Sequence, residues 1–105
     1  MAEHRRVPRR AFGGVAEITS AANPSAYIVA STTELSRYGC FVTTDVSLPI
    51  GTKVSLKITY EDKVFCASGE VAYVLPERGM GIRFTTTAPE DVALLESWLS
   101  QQTNF

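Results

Sequence analysis

From Val54 to Tyr60 the chain alternates strictly: Val54, Leu56, Ile58 and Tyr60 are apolar or aromatic, and Ser55, Lys57 and Thr59 between them are polar. Successive side chains of an extended strand point to opposite faces, so a period of two sorts onto the two sides of a β-strand and onto no face of a helix. One half-buried strand is thereby fixed, and the rest of the chain must cover its edges. The runs Phe12–Ile18, Ala26–Ala30, Cys40–Thr44, Val64–Leu75 and Met80–Phe84 are suited to this, being rich in β-branched and aromatic residues. Turn signals separate the runs: Ala21-Ala22-Asn23-Pro24-Ser25, Pro49-Ile50-Gly51, Glu61-Asp62-Lys63 and Pro76-Glu77-Arg78-Gly79. Val64–Leu75 is long enough to bend or bulge at Gly69. Short strands at this spacing predict a small antiparallel barrel, because closing the sheet leaves no edge open to other chains.

The period changes near the end. Thr87 followed by Glu90 has the spacing of a capping box, and Val92, Leu95, Trp98 and Leu99 recur at three and four, which predicts an amphipathic helix from about Ala88 to Gln101. Its apolar stripe is expected to pack on the barrel, with Trp98 as the largest contribution. A dimer contact is the alternative place for that ring.

The chain's 105 residues, 45% hydrophobic and 20% charged, suit one folded domain rather than a disordered chain. No stretch approaches the ~18 apolar residues of a membrane span, and no apolar segment follows the amino-terminal arginines as in a secretory signal. A cytoplasmic protein without membrane insertion is expected. Cys40 and Cys66 sit singly in apolar runs and read as buried or half-buried free thiols rather than a disulfide framework.

An enzyme is hard to assemble from this inventory. The single histidine, His4, lies at the extreme amino end, no Cys and His spacing suits zinc, and no Gly-rich phosphate loop leads into a helix. Charge is distributed more informatively. Residues 1–10 carry Arg5, Arg6, Arg9 and Arg10 against Glu3, a net +3, whereas the other six basic and ten acidic side chains give the remainder −4. A basic arm on an acidic body points to an anionic partner of limited size. A nucleic-acid binder spreads positive charge over its folded face, so neither DNA nor RNA is expected as a partner. A merely solvated terminus is the bland alternative.

Two segments carry candidate binding chemistry. In Arg5-Arg6-Val7-Pro8-Arg9-Arg10, Arg5 is spaced from Arg9, and Arg6 from Arg10, by three residues, and each guanidinium can grip a phosphate bidentately or read the O6 and N7 edge of guanine. In Glu34-Leu35-Ser36-Arg37-Tyr38-Gly39, a carboxylate can accept from guanine N1 and N2 protons, Ser36 can donate or accept, and Gly39 admits positive φ or close backbone approach. Taken alone, the second segment also reads as an ordinary strand-to-strand turn.

With the strands, these segments resemble the PilZ domain family, which pairs an R-x-x-x-R motif with a (D/N)-x-S-x-x-G motif some twenty to thirty residues later. Arg5 to Arg9 and Glu34 to Gly39 match that order, Gly79-Met80-Gly81-Ile82-Arg83-Phe84 is similar to the family's closing strand, and the likeness runs over about residues 4–100. It implies an all-β fold, a six-stranded antiparallel barrel with a C-terminal helix: an arm over 1–11, a barrel over 12–86 and a helix over 87–102. It also implies binding of cyclic di-GMP on the outside of the barrel, with no other cofactor. Arg5 and Arg9 would grip phosphate and guanine, with Arg6 and Arg10 the second register, Ser36 and Gly39 would shape the pocket, and residue 34 would read a guanine. The family's Asp or Asn is Glu34 here, one methylene longer. The expected function is a stand-alone receptor, monomeric or a weak homodimer, that orders its arm on ligand and acts in trans on an effector protein. The alternative is a PilZ-fold interaction module of pilus or motility machinery that binds no nucleotide.

Overall fold

The computed structural model describes residues 10–23 and 25–102. Its elements are β1 (Arg10–Ser20), β2 (Tyr27–Leu35), β3 (Gly39–Thr43), β4 (Lys53–Tyr60), β5 (Lys63–Leu75), β6 (Gly79–Thr86) and α1 (Pro89–Gln102). The strands close a barrel in the order β1-β2-β3-β6-β5-β4, every neighbour antiparallel, and β4 returns to pair with β1. In β4 the alternation holds residue by residue: Val54, Leu56 and Ile58 are buried and Ser55 and Lys57 are exposed.

Four register shifts break this parity. Between β1 and β2 the register shifts at Ala11/Gly14, and between β2 and β3 at Thr32/Glu34, so that Thr32 and Leu35, an odd distance apart, both face the core. In β5 the register shifts at Ser68/Gly69, where a bend was expected, and again at Val71/Tyr73. The second shift inserts Ala72, and Tyr73, which uninterrupted alternation from Val71 would turn inward, emerges on the outside.

One mouth of the barrel is sealed by aromatics. Trp98 of α1, 2% exposed, meets Phe12 of β1 at 5.3 Å, Tyr60 of β4 edge-on at 5.6 Å and Phe65 of β5 at 6.2 Å between ring centroids. Here β5 has outrun β6, since their pairing starts only at Ser68, and the helix takes the missing strand's place: the Cys66 amide donates to the Asp91 carboxylate at 3.1 Å. An exposed ion pair, Arg37 to Glu96 at 3.1 Å, ties the β2–β3 turn to the same helix.

Some sequence expectations need correction. Arg10 and Ala11, assigned to the arm, pair with Leu35 and Glu34 and belong to β1. The helix begins at Pro89, and the amides of Asp91 and Val92 donate to the Ala88 carbonyl. Ala88 is therefore the cap, Pro89 with its preset φ is the first helical residue, and Thr87 stands outside. Cys40 is buried, and burial pushes its thiol up to about 12. Cys66 is exposed because its neighbour Phe65 takes the inward position.

Trp98→Ala should cost about 3–5 kcal/mol in a denaturant titration, the range for a large aromatic removed from a core. The β4–β5 hairpin provides a test of opposite sign. Its two-residue turn holds Glu61 at φ 50° and Asp62 at φ 66°, left-handed values at both positions. Asp62→Gly should raise stability by about 0.5–1 kcal/mol by relieving that conformation.

Candidate functional site

The end of β2, the following turn and the start of β3 form one wall of a groove of about 190 Å³ on the outside of the barrel. Glu34, half-buried, sits where both bulges of β2 converge, opposite Ala11 of β1 and Phe41 of β3. The turn is closed by Ser36: its amide donates to the Gly39 carbonyl at 2.9 Å, and its hydroxyl accepts from the Tyr38 amide at 3.2 Å and donates to the Gly39 carbonyl at 3.4 Å. A hydroxyl so engaged shapes the turn. The Tyr38 carbonyl accepts from the Phe84 amide at 2.8 Å, which stitches the turn to β6.

Gly39 is needed here for space, since its φ lies outside the left-handed range. A Cβ at this position would collide with the Ile82 carbonyl of β6. Gly81 is the second such place, for a Cβ there would strike the Tyr73 ring, which lies over it. Tyr73 and Phe41 are near-parallel above this strip, with centroids 6.1 Å apart and planes inclined by 22°. The groove therefore has an aromatic floor and, in Tyr38, an aromatic flank 60% exposed.

Arg83 supplies positive charge at the rim. Its guanidinium donates to Glu70 at 2.7 Å, and the other Glu70 oxygen faces Lys53 at 3.4 Å. The hydrogen bond from Arg83, with help from Lys53, holds the Glu70 carboxyl below the ordinary carboxylate range, so the pair stays charged at neutral pH.

Of the residues singled out in sequence, the structure brings together Glu34, Ser36 and Gly39. Arg10 enters as the first residue of β1, opposite Leu35 and so beside the turn. Arg5, Arg6 and Arg9 lie outside the described residues. Sequence reading passed over Tyr38, Phe41, Tyr73 and Arg83 as groove residues. Parity could have found Phe41, which stands between the buried Cys40 and Val42, but Tyr73 is turned outward by a bulge that simple alternation hides.

A closed six-stranded barrel with a helix over one mouth and a groove beside the β2–β3 turn defines a small all-β barrel domain. The model of the PilZ domain matches residues 3–101, and the chain belongs to the PilZ family. Solved structures agree in fold. The PilZ domain with c-di-GMP of YcgR from Escherichia coli superposes with a TM-score of 0.76 at 14% identity, covering 96% of this chain and 92% of that one. The Bacillus subtilis inhibitor of motility MotI/DgrA gives 0.74 at 20% identity; 98% of this chain is covered, and it spans 53% of the MotI/DgrA chain. The PilZ domain of CeSA from a cellulose-synthesizing bacterium gives 0.70 at 16% identity, over 92% of this chain and 99% of that domain. No curated protein matches the chain.

The two glycine environments predict a contrast. Gly39→Ala should cost at least about 2 kcal/mol by prising β3 from β6. Gly13→Ala, where a new Cβ meets nothing within 4 Å, should stay within about 0.5 kcal/mol of wild type. Chemical denaturation of the two variants measures the difference.

Proposed function

We propose that this domain binds cyclic di-GMP in the groove beside the Glu34–Gly39 turn and passes the signal in trans to an effector protein. The observation that carries this reading is the entry of the chain at Arg10. Because Arg10 pairs with Leu35, the arginine-bearing segment joins the barrel at the groove's edge. Five residues of extended chain reach at most about 17 Å, so Arg5 and Arg9 are tethered within range of a ligand seated there. A groove of about 190 Å³ is smaller than the ~300–1,000 Å³ of sites that enclose a whole small ligand, and it suits one flat base with the remainder gripped from the arm side. Tyr73 and Phe41 offer π surface to that base, Glu34 an acceptor for its N–H groups, and Arg83 a cation near the phosphates. The fold likeness to the PilZ domain with c-di-GMP of YcgR supports the choice of ligand.

In this reading Arg5 and Arg9 each grip phosphate and guanine, Arg6 and Arg10 form the second register, Ser36 and Gly39 hold the turn, and Glu34 reads a guanine edge. The longer Glu34 side chain favours a second reading, an interaction module of the same fold that binds no nucleotide. Titration calorimetry with cyclic di-GMP separates the two. Wild type should release binding heat, and Arg5→Ala or Arg9→Ala should each lose about 1.5–3 kcal/mol of binding, with Lys recovering only part because it lacks the planar fork. Glu34→Asp should tighten binding by about 0.5–1.5 kcal/mol. A folded wild type and a folded Glu34→Asp variant that are both silent would establish the interaction module instead.

A further inference from the structure

The outer face opposite the groove is built from β2, β1, β4 and β5, and their pairing sets three side-chain rows in register. The central row reads Val29, Glu17, Lys57, Cys66; on one side lies Ser31, Val15, Thr59, Val64, and on the other Tyr27, Thr19, Ser55, Ser68. Tyr27, Val29, Val15 and Val64 are 54, 58, 47 and 46% exposed, more branched and aromatic surface than a solvated sheet needs. Only Glu17 and Lys57 are charged, and they sit side by side. They do not pair with each other: Glu17 accepts from the Tyr27 hydroxyl at 3.0 Å, and Lys57 makes no ion pair among the described residues. One shallow trough of about 660 Å³ is lined by all four strands and also by Thr86, Ala88 and Asp91, the last already held by the Cys66 amide, so this face is not a simple convex cylinder.

We propose that this face pairs with its own copy in a weak, reversible dimer. Consider a two-fold axis in the interface plane, parallel to the strands and passing between β1 and β4. It lays β1 over the partner's β4 and β2 over the partner's β5, as a self-complementary interface requires. Within each copy's own register, Glu17 then falls opposite the position of Lys57, so the two adjacent charges become two ion pairs across the contact. Bulk meets small residues along the same rows: Val29 faces the Cys66 position, Val15 the Thr59 position, Val64 the Ser31 position and Tyr27 the Ser68 position at the trough. The three rows are self-complementary, since their charges sum to zero and their bulky positions map onto their own small ones. Four strands at about 4.8 Å spacing and some 20 Å of length cover on the order of 400 Å² per copy. That lies at the low end for specific contacts, which makes the association concentration-dependent rather than obligate.

Sedimentation velocity of the full chain from about 10 μM to 1 mM tests this, the range in which a contact so small titrates. Wild type should shift from monomer toward dimer. Glu17→Lys and Lys57→Glu should each weaken association by about tenfold or more, because each sets like charges face to face, and the double variant should return to within about threefold of wild type. Val29→Lys, at an exposed position outside the charge pair, should weaken it as well, and circular dichroism melting confirms that each variant is folded. A wild type that stays monomeric throughout overturns the proposal, including the case in which another macromolecule occupies the face. So do single reversals without effect, or a double variant no better than the singles.

Discussion

The barrel depends on the seal that Trp98 makes over one mouth. A six-stranded barrel of this length has strands of unequal extent, and at the end where β5 outruns β6 the cylinder is incomplete. The indole closes the gap by meeting rings from β1, β4 and β5 at once, joining the Phe12–Tyr60 pair of β1 and β4 to Phe65 of β5. Aromatic edges and faces packed at these distances add to the burial itself. The helix that brings Trp98 there also supplies Asp91 to an otherwise orphaned strand amide, satisfying the polar requirement of an open edge with one side chain. The groove lies at the same end, since the β2–β3 turn, the start of β1 and the close of β6 all meet there. Packing of the helix and order in the turn are thus joined through one region of core and one surface ion pair, Arg37 to Glu96.

Much of the fold was legible because β4 and most of its neighbours obey a single rule. Val54, Leu56 and Ile58 face inward as alternation demands, and Leu95 and Trp98 face the barrel as a helical period demands. The cap at α1 was misread because Thr87 and Glu90 have the right spacing, whereas the helix starts one residue later, on the proline that spacing cannot weigh against them. Cys66 was misread from its apolar neighbours alone, although strict parity beside Phe65 points it outward. Of the candidate site, the turn residues were visible as a motif. Tyr73 of the aromatic floor was not, because a bulge is a one-residue change of phase with no compositional mark of its own at Ala72.

That loss of legibility is physical rather than accidental. A regular barrel presents alternating residues evenly around its surface, and no such surface gathers an acid, two rings and a guanidinium at one place. The irregularities of β2 and β5 do so by rotating short stretches of strand relative to the rest. Glu70 then holds the Arg83 guanidinium at 2.7 Å and faces Lys53 at 3.4 Å, so that the cation at the rim is fixed in place.

The role of Gly39 bears on how such domains drift over time. Its small size is demanded by the Ile82 carbonyl across the sheet, and Ser36 is demanded by the turn that brings Gly39 there. Both residues answer to the barrel, so a lineage that had abandoned its ligand would still be selected to keep them. In a barrel of this kind the serine and glycine are the signature of an inherited shape, and their persistence records the architecture rather than a ligand.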